Sequence, residues 1–166
     1  MVRASSANDT TIICELIRAL AEYERLSHAV VLEEDGLRDY LFGPRRYAEV
    51  LLAEEDGEVV GFALFFHSFS TFLGRPGIYL EDIFVRPEYR GRGHGKALLS
   101  AIARIAVERG CGRVEWSVLN WNEPSIGFYR SLGAVPLDEW TTYRLTGDSL
   151  AALAATCPTP PDVEPA

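Results

Sequence analysis

The chain has 166 residues, which suits one domain with a short extension and leaves little room for two. Apolar residues make up 48% and charged residues 24%, which argues against a disordered chain, a collagen-like rod and a bare coiled coil. Asp and Glu outnumber Lys and Arg by 24 to 16, giving a net charge of −8. This charge disfavours nucleic acid as a partner and mildly favours a small cationic substrate, although it could serve solubility alone.

The cysteines and the N-terminus indicate a reduced, cytoplasmic protein. Cys14, Cys111 and Cys157 are odd in number and widely spaced, so they predict no disulfide framework. The histidines do not stand at metal-ligand spacing to them, and we expect no metal. The polar N-terminus lacks the apolar run of a signal peptide, and no apolar run approaches the roughly 18 residues of a membrane span. We therefore expect no association with a membrane.

Two helices are predicted near the start of the chain. Residues 12–25 carry apolar side chains at helical spacing, with Asn8 and Asp9 available as caps in front of them. A second, weaker helix is predicted over residues 34–41 and would end at Gly43.

A hairpin and a loop are expected next. The apolar runs 47–53 and 58–66 are joined by Glu55-Asp56-Gly57, which predicts antiparallel strands because glycine accepts the positive φ of a tight turn. The acidic residues at this turn indicate plain solvation. Residues 68–77 are polar and interrupted by Gly and Pro, which predicts a loop. Its apolar side chains could line a substrate mouth or close the core; they are Phe69, Phe72 and Leu73.

The middle of the chain reads as strand, glycine-rich loop and helix. Residues 78–85 have the aromatic and β-branched content of a strand, with the adjacent carboxylates Glu81 and Asp82 inside it. The helix is predicted over residues 96–108 and would end at Gly110.

Four further elements and a tail complete the predicted order. We expect a strand over residues 113–119, a short helix over 124–131, a strand over 142–145 and helical turns over 148–155. Residues 156–166 are proline-rich and predict a disordered tail. The alternation of helices and strands predicts one α/β domain over residues 1–155, built around a single sheet.

The loop before the long helix suits a pyrophosphate. Its glycines let backbone N–H groups approach a ligand, and the helix N-terminus adds positive partial charge. It matches neither a Walker loop nor a Rossmann fingerprint, and it could also be a plain turn. Arg90, Arg92 and Lys96 add positive charge within its sequence, Arg90-Gly91-Arg92-Gly93-His94-Gly95-Lys96.

The pattern Arg90-x-x-Gly93-x-Gly95 between a strand and a helix resembles the acetyl-CoA motif of the GNAT N-acetyltransferase superfamily. The resemblance runs over roughly residues 3–153 and narrows to the spermidine/spermine (diamine) N-acetyltransferase branch. It implies one mixed, mostly antiparallel sheet flanked by helices, acetyl-CoA as co-substrate and a homodimer. The segments that carry the branch are Ala21-Glu22-Tyr23-Glu24, Tyr79-Leu80-Glu81-Asp82 and Trp121-Asn122-Glu123-Pro124-Ser125-Ile126-x-Phe128-Tyr129.

The same resemblance assigns the cofactor contacts. It implies that the backbone of Ile83, Phe84 and Val85 binds the pantetheine arm as an added strand. The pyrophosphate would then be held by the loop, and the short helix would contact the cofactor again. The implied contacts in these two places are Arg90, Gly91, Arg92, Gly93, His94, Gly95, Lys96, Asn122, Ser125 and Tyr129.

Acyl transfer to an amine needs a base and an acid. By resemblance we expect Glu81 to be the general base, with Asp82 second; Asp82 could instead be a charge at the sheet edge. The two point to opposite faces of a regular strand unless a bulge re-aims them. Tyr129 follows Asn122 by two helical turns and is expected to protonate the leaving thiolate; a core role is the alternative.

The resemblance also places the amine. Tyr23 or Trp116 could offer a cation–π face, and Glu24 or Glu115 could hold a second ammonium group, although Glu24 could also be a solvated surface residue. Thr71 stands where the polyamine enzymes have an acidic residue, and residues 136–142 match poorly. The expected amine-site residues are Tyr23, Glu24, Glu81, Asp82, Glu115, Trp116 and Ser117.

The leading hypothesis is therefore direct transfer of acetyl from acetyl-CoA to a primary amine of a small polyamine-like or diamine-like cation. Two rival hypotheses remain open. The amine could be a thialysine-like amino acid, an amino sugar or a protein amine, or the chain could bind acyl-CoA without catalysis.

Overall fold

The computed structural model describes residues 1–159 and divides the chain into two compact units, Met1–Ser117 and a second that begins at Val118. The predicted boundary at residue 155 stays a prediction. Residues 156–159 of the predicted tail are exposed, and the rest of that tail lies outside the described residues.

The first unit is a five-stranded sheet with helices. The strands follow the order β1-β2-β3-β4-β5, and every neighbouring pair is antiparallel except β4 and β5, which are parallel. The predicted mixed, mostly antiparallel sheet is confirmed. The elements are β1 Val2–Ala4, α1 Thr10–Tyr23, α2 Glu34–Phe42, β2 Glu49–Glu55, β3 Glu58–Ser70, β4 Arg75–Val85, α3 His94–Glu108 and β5 Val114–Trp116, with 3₁₀ turns at Ala7–Asp9, Ser27–Ala29 and Pro87–Tyr89.

Each face of the sheet carries its own apolar layer. The helices α1 and α2 pack on one face, where Ile13 and Leu16 join Phe62 and Phe84 in a buried cluster. The alternate strand residues are buried as well, and α3 contacts β2, β3 and β4 and buries its own apolar side chains. Because strand side chains alternate between faces, α3 covers the second face.

The hairpin between β2 and β3 forms as predicted. Asp56 and Gly57 both adopt positive φ, at 52° and 83°, which is the conformation of the tight turns that match strand twist. The turn brings the end of β2 back along β3, with Glu55 opposite Glu58.

The loop predicted over residues 68–77 is wrong. The strands β3 and β4 continue through most of it, with Ser68 paired to Gly77 and Phe69 paired to Pro76, and only residues 71–74 turn. A backbone ladder does not require apolar side chains, so the polar pattern concealed the pairing. Phe72 is 94% exposed at this turn, and Phe69 and Leu73 are exposed beside it, so these side chains do not close the core.

The first strand was not predicted. β1 pairs antiparallel with β2, with Arg3 opposite Leu52. The Arg3 guanidinium lies 2.8 Å from an Asp9 oxygen and 2.7 Å from a Glu54 oxygen, so one side chain joins β1, the start of α1 and β2. Three residues are too short to show a period, which is why the pattern gave no strand.

A β-bulge interrupts β4 at the two adjacent carboxylates. Leu64 pairs with Asp82 and Phe65 with Leu80, which leaves Glu81 as the extra residue. In the described part of the chain, pairing between β4 and β5 covers Ile78, Tyr79 and Leu80 and ends before the bulge. The strand predicted over residues 113–119 is correspondingly shorter.

The second unit contains two helices among its described residues, α4 Glu123–Ser131 and α5 Gly147–Ala154, both close to their predicted bounds. The strand predicted over residues 142–145 is wrong: this segment is irregular, and Tyr143 is 91% exposed. An alternating pattern forms a strand only against a partner strand, and the described residues of this unit contain none. Within residues 1–159, no helix has the length and apolar character needed to cross a membrane.

Candidate active site

The glycine-rich loop leads directly into α3. Gly91 and Gly93 have φ of 77° and 92°, which L side chains rarely adopt. A Cβ on either glycine would meet no atom within 4 Å, so the space in front of this backbone is open. The first N–H groups of a helix have no partner within the helix, and here they lie next to Arg90, Arg92 and Lys96 in sequence. The loop therefore fits the pyrophosphate of acetyl-CoA.

Two nitrogen-bearing side chains of this loop bind the hairpin between β2 and β3. The Nη1 atom of Arg92 and the Nε2 atom of His94 each lie 2.5 Å from a different carboxylate oxygen of Glu55. The hydroxyl of Tyr89 donates to Glu58 at 2.8 Å. Sequence reasoning assigned the acidic residues of this turn, Glu55 among them, to plain solvation. It missed their contacts with the loop because no local sequence pattern links residues so far apart in the chain.

Arg90 joins the loop to the end of α1. Its Nε donates to the Val85 carbonyl at 2.9 Å, and its guanidinium carbon lies 4.3 Å from the centre of the Tyr23 ring and 5.5 Å from that of Phe84. Tyr23 was expected to give a cation–π face to the amine. In the structure this ring carries the guanidinium of Arg90.

Beyond the bulge, one edge of β4 has no partner strand among the described residues. Ile83, Phe84 and Val85 pair with β3, while the pairing of β4 with β5 in the described residues ends at Leu80. A strand with one unpaired edge can accept an extended ligand through main-chain hydrogen bonds. That the pantetheine arm binds along this edge stays a prediction from the resemblance.

Two nearby carboxylates act on Asp82 at the bulge. Burial, together with the negative charges of Glu81 and Glu24, raises the pKa of half-buried Asp82 to about 6. Burial also raises the pKa of Glu24. Glu81 is exposed. A carboxyl group with a pKa near 6 is still mostly ionised at neutral pH and is a stronger base than an ordinary aspartate.

The other predicted amine-site residues lie on β5 and just after it. Glu115 forms an ion pair with Arg113 at 2.7 Å, so its carboxylate already has a cationic partner. The Ser117 hydroxyl lies 2.9 Å from that of Tyr79. Trp116 is half-buried and pairs with Leu80. Of the expected ammonium-binding acids, Glu24 is therefore grouped with Glu81 and Asp82, while Glu115 is paired separately.

The remaining predicted residues belong to α4 in the second unit. Asn122 is 6% exposed, and its side-chain oxygen accepts from the Ser125 N–H at 3.4 Å, which makes it the N-cap of this helix. Tyr129 is half-buried, with its ring centre 5.5 Å from that of Phe128. Their contacts with a cofactor stay predictions.

A mixed sheet whose fourth strand leads to a glycine-rich loop and a helix N-terminus is the arrangement that the sequence resemblance implied for an acyltransferase. The model of the acetyltransferase (GNAT) family matches residues 13–134. The chain belongs to this family and is an N-acetyltransferase.

Three relatives extend this result. The chain is 41% identical over 165 residues to the bovine (Bos taurus) thialysine N-epsilon-acetyltransferase, covering 93% of this chain and 96% of the relative. It is 35% identical, over an alignment of 197 residues, to the L-ornithine N5-acetyltransferase NATA1 of Arabidopsis thaliana. This alignment covers 92% of this chain and 86% of the relative. It is 32% identical over 164 residues to the human (Homo sapiens) spermidine/spermine N(1)-acetyltransferase-like protein 1, covering 92% of this chain and 23% of that relative.

These matches confirm the resemblance to the GNAT superfamily and to its diamine acetyltransferase branch, as well as the predicted fold. The family uses acetyl-CoA, and the relatives act on amines. Among residues 1–159, no group of three or more His, Cys, Asp or Glu side chains is placed to hold a metal ion. Catalysis without a metal stays a prediction.

Proposed function

We propose that the protein transfers acetyl from acetyl-CoA to the side-chain amino group of a small basic amino acid. The observation that carries this proposal is Asp82 at the bulge, with the negative charges of Glu81 and Glu24 acting on it, next to the part of β4 that has no partner strand on one side in the described residues. Three acids favour a cationic substrate with more than one charged group. Thialysine and ornithine, named for two relatives, are such amines.

A polyamine or diamine is the second candidate. The Glu81-Asp82 pair and the α4 segment resemble the polyamine enzymes, and one relative carries spermidine and spermine in its name. Thr71 weighs against it, because the polyamine enzymes have an acid there. Glu115, which was expected to hold a second ammonium group, is paired with Arg113.

The chemistry requires removal of a proton from the amine. An alkylammonium with a pKa near ~10.4 is deprotonated only about once in 2,500 molecules at pH 7, which costs ~4.6 kcal/mol. The neutral nitrogen attacks the thioester carbonyl carbon, and the carbon–sulfur bond breaks. One group must accept the proton from nitrogen, and another must supply a proton to the departing sulfur.

In this proposal Asp82 accepts the proton, in place of Glu81. Its raised pKa makes its carboxylate a stronger base than an ordinary aspartate, because base strength increases with pKa. Glu81 is exposed, which suits a carboxylate that attracts and orients the ammonium form of the substrate. Glu24 adds a second negative charge near the same place.

Tyr129 supplies the proton to sulfur in this proposal. A phenol of pKa near ~10 is protonated at neutral pH and can donate to a thiolate of pKa ~8.5. Tyr129→Phe should lower kcat by about 10²-fold and leave the Kd for acetyl-CoA within about twofold, measured by steady-state kinetics and calorimetry. An unchanged kcat would remove Tyr129 from the mechanism.

A thiol-release screen tests the function directly. Purified protein with acetyl-CoA is offered ornithine, lysine, thialysine, spermidine, diamines and amino sugars, and products are identified by mass. Release of thiol with a product 42 mass units heavier is expected for the basic amino acids. Stabilisation by acetyl-CoA with no thiol released for any amine would instead indicate a binding module.

The oligomeric state and the location are part of this proposal. We expect a homodimer, as in the branch that the sequence resembles, and light scattering should then give twice the 18.4 kDa of one chain. A cytoplasmic location stays a prediction, based on the cysteines and on the polar N-terminus.

A further inference from the structure

The β2–β3 hairpin places the carboxylate of Glu55 on Arg92 and His94 of the glycine-rich loop, residues 90–96, which is called the phosphate loop below. We infer that Glu55 sets the affinity for acetyl-CoA: its carboxylate occupies Arg92 and His94, so the pyrophosphate binds in competition with it. This inference rests on the proposed role of the loop as the pyrophosphate site.

The geometry commits both oxygens of one carboxylate to the loop. Oε1 of Glu55 lies 2.5 Å from Arg92 Nη1, and Oε2 lies 2.5 Å from His94 Nε2. Arg92 also donates through Nη2 to the Glu88 carbonyl at 3.1 Å. The hydrogen bonds from His94 and Arg92 lower the pKa of Glu55, so its negative charge is present at neutral pH.

The neighbouring acids of the hairpin have other surroundings. Glu54 forms an ion pair with Arg3 on β1, and Glu58 accepts a hydrogen bond from the Tyr89 hydroxyl. Asp56 is exposed at the turn itself, in a left-handed conformation that asparagine also tolerates. The chain thus offers Asp56, next to Glu55 in sequence and equal in charge, as a matched control.

Glu55 and the pyrophosphate compete for two reasons: both need the hydrogen-bond donors of Arg92, and their negative charges repel each other. A phosphate that binds Arg92 must replace a carboxylate already bound there, and the displaced carboxylate still repels the pyrophosphate from a few ångströms away. In a solvent-exposed setting such repulsion is modest, and it weakens with salt. Removing the charge of Glu55 should therefore tighten binding by about three- to tenfold at low ionic strength.

Calorimetric titration of acetyl-CoA tests this inference. Glu55→Gln should lower the Kd by about three- to tenfold at low salt, and the gain should shrink in 0.5 M salt. Glu55→Asp keeps the charge and should stay near the wild type. The KM for S-acetylpantetheine, a thioester donor that lacks the pyrophosphate, should not change in Glu55→Gln.

Two further variants separate competition from general charge. Asp56→Asn removes one negative charge from the same hairpin and should change the Kd by less than about twofold. In an Arg92→Ala background, Glu55→Gln should lose most of its gain, because the contested donor is absent.

The outcomes divide clearly. A higher or unchanged Kd in Glu55→Gln would mean that Glu55 supports the loop without competing, and an equal gain in Asp56→Asn would assign the effect to overall charge. Either result overturns the inference, as would a wild type that binds no acetyl-CoA. A wild type that binds acetyl-CoA but acetylates no amine contradicts the proposed function alone, because the calorimetric comparison still applies.

Discussion

Asp82 has a pKa well above the ordinary value of an aspartate. Its position at a bulge, half-buried and near two other carboxyl groups, raises its pKa to about 6. A carboxylate in such a place is costly to maintain, and it suits a group that must take up a proton. Sequence reasoning identified the pair and, by resemblance, placed Glu81 before Asp82 as the base; the bulge and the burial of Asp82, on which the opposite proposal depends, have no local sequence signal.

Kinetics can rank them. Asp82→Asn should lower kcat/KM by about 10²- to 10³-fold and remove an acidic limb near pH 6 from the pH profile of kcat/KM, since that profile reports the free enzyme. Glu81→Gln should act mainly on the KM for the amine and keep the limb. A limb lost in Glu81→Gln and retained in Asp82→Asn would make Glu81 the base.

The same carboxyl group should reduce stability at neutral pH. Because the folded-state pKa of Asp82 lies above its ordinary value, the folded protein binds this proton more tightly, and stability falls as pH rises from about 4 to about 6. Asp82→Asn should therefore raise the free energy of unfolding by about 1 to 3 kcal/mol at pH 7.5 and by much less at pH 4.

Denaturant unfolding at the two pH values measures this difference. Glu81→Gln is the matched control, since Glu81 is exposed and should change stability by less than about 0.5 kcal/mol. Equal stability of Asp82→Asn and wild type at pH 7.5 would contradict the burial argument.

At the level of elements, the short strand β1 depends on Arg3. This side chain joins three elements through partly buried ion pairs with Asp9 and Glu54, and the hydrogen bond from Arg3 lowers the pKa of Asp9. The sequence predicted α1 and the β2–β3 hairpin because spacing and turn residues are local signals. It missed β1, whose three residues show no period.

Arg3→Met should cost about 1 to 2 kcal/mol of stability at pH 7, because it leaves two partly buried carboxylates without their cation. The loss should diminish below pH 4, since a carboxylate with a lowered pKa contributes stability that disappears on protonation. Chemical denaturation measures both effects.

Arg38→Met provides the comparison, since Arg38 forms only an exposed pair with Glu34 at 4.0 Å within α2. It should change stability by less than about 0.5 kcal/mol. Equal losses in the two variants would mean that the Arg3 network adds nothing beyond an ordinary surface pair.

Two other failures of prediction at this level have a common cause. Residues 68–77 form paired strand although their pattern is that of a loop, and residues 142–145 are irregular although their pattern is that of a strand. Pairing depends on a neighbouring strand, which a local pattern does not contain. For the same reason the contact between Glu55 and Arg92, 37 residues apart, was beyond sequence reasoning.

For the molecule as a whole, only a few of the acidic residues behind the net charge of −8 have a proposed role. Glu24, Glu81 and Asp82 contribute to the proposed amine site, and Glu55, at the end of β2, contacts Arg92 of the glycine-rich loop. The family and the sheet could be predicted because a motif between a strand and a helix is local. The preferred amine could not, because it depends on side chains from separate elements.

Acetylation of a basic amino acid at its side-chain nitrogen can be measured in one competition assay. Ornithine, thialysine and spermidine share limiting acetyl-CoA, each product is quantified, and its acetylated nitrogen is located by tandem mass spectrometry. We predict that the two amino acids, acetylated at the side chain, exceed spermidine by at least about tenfold in kcat/KM. Preferential acetylation of spermidine, or of the α-amino group, would contradict this account.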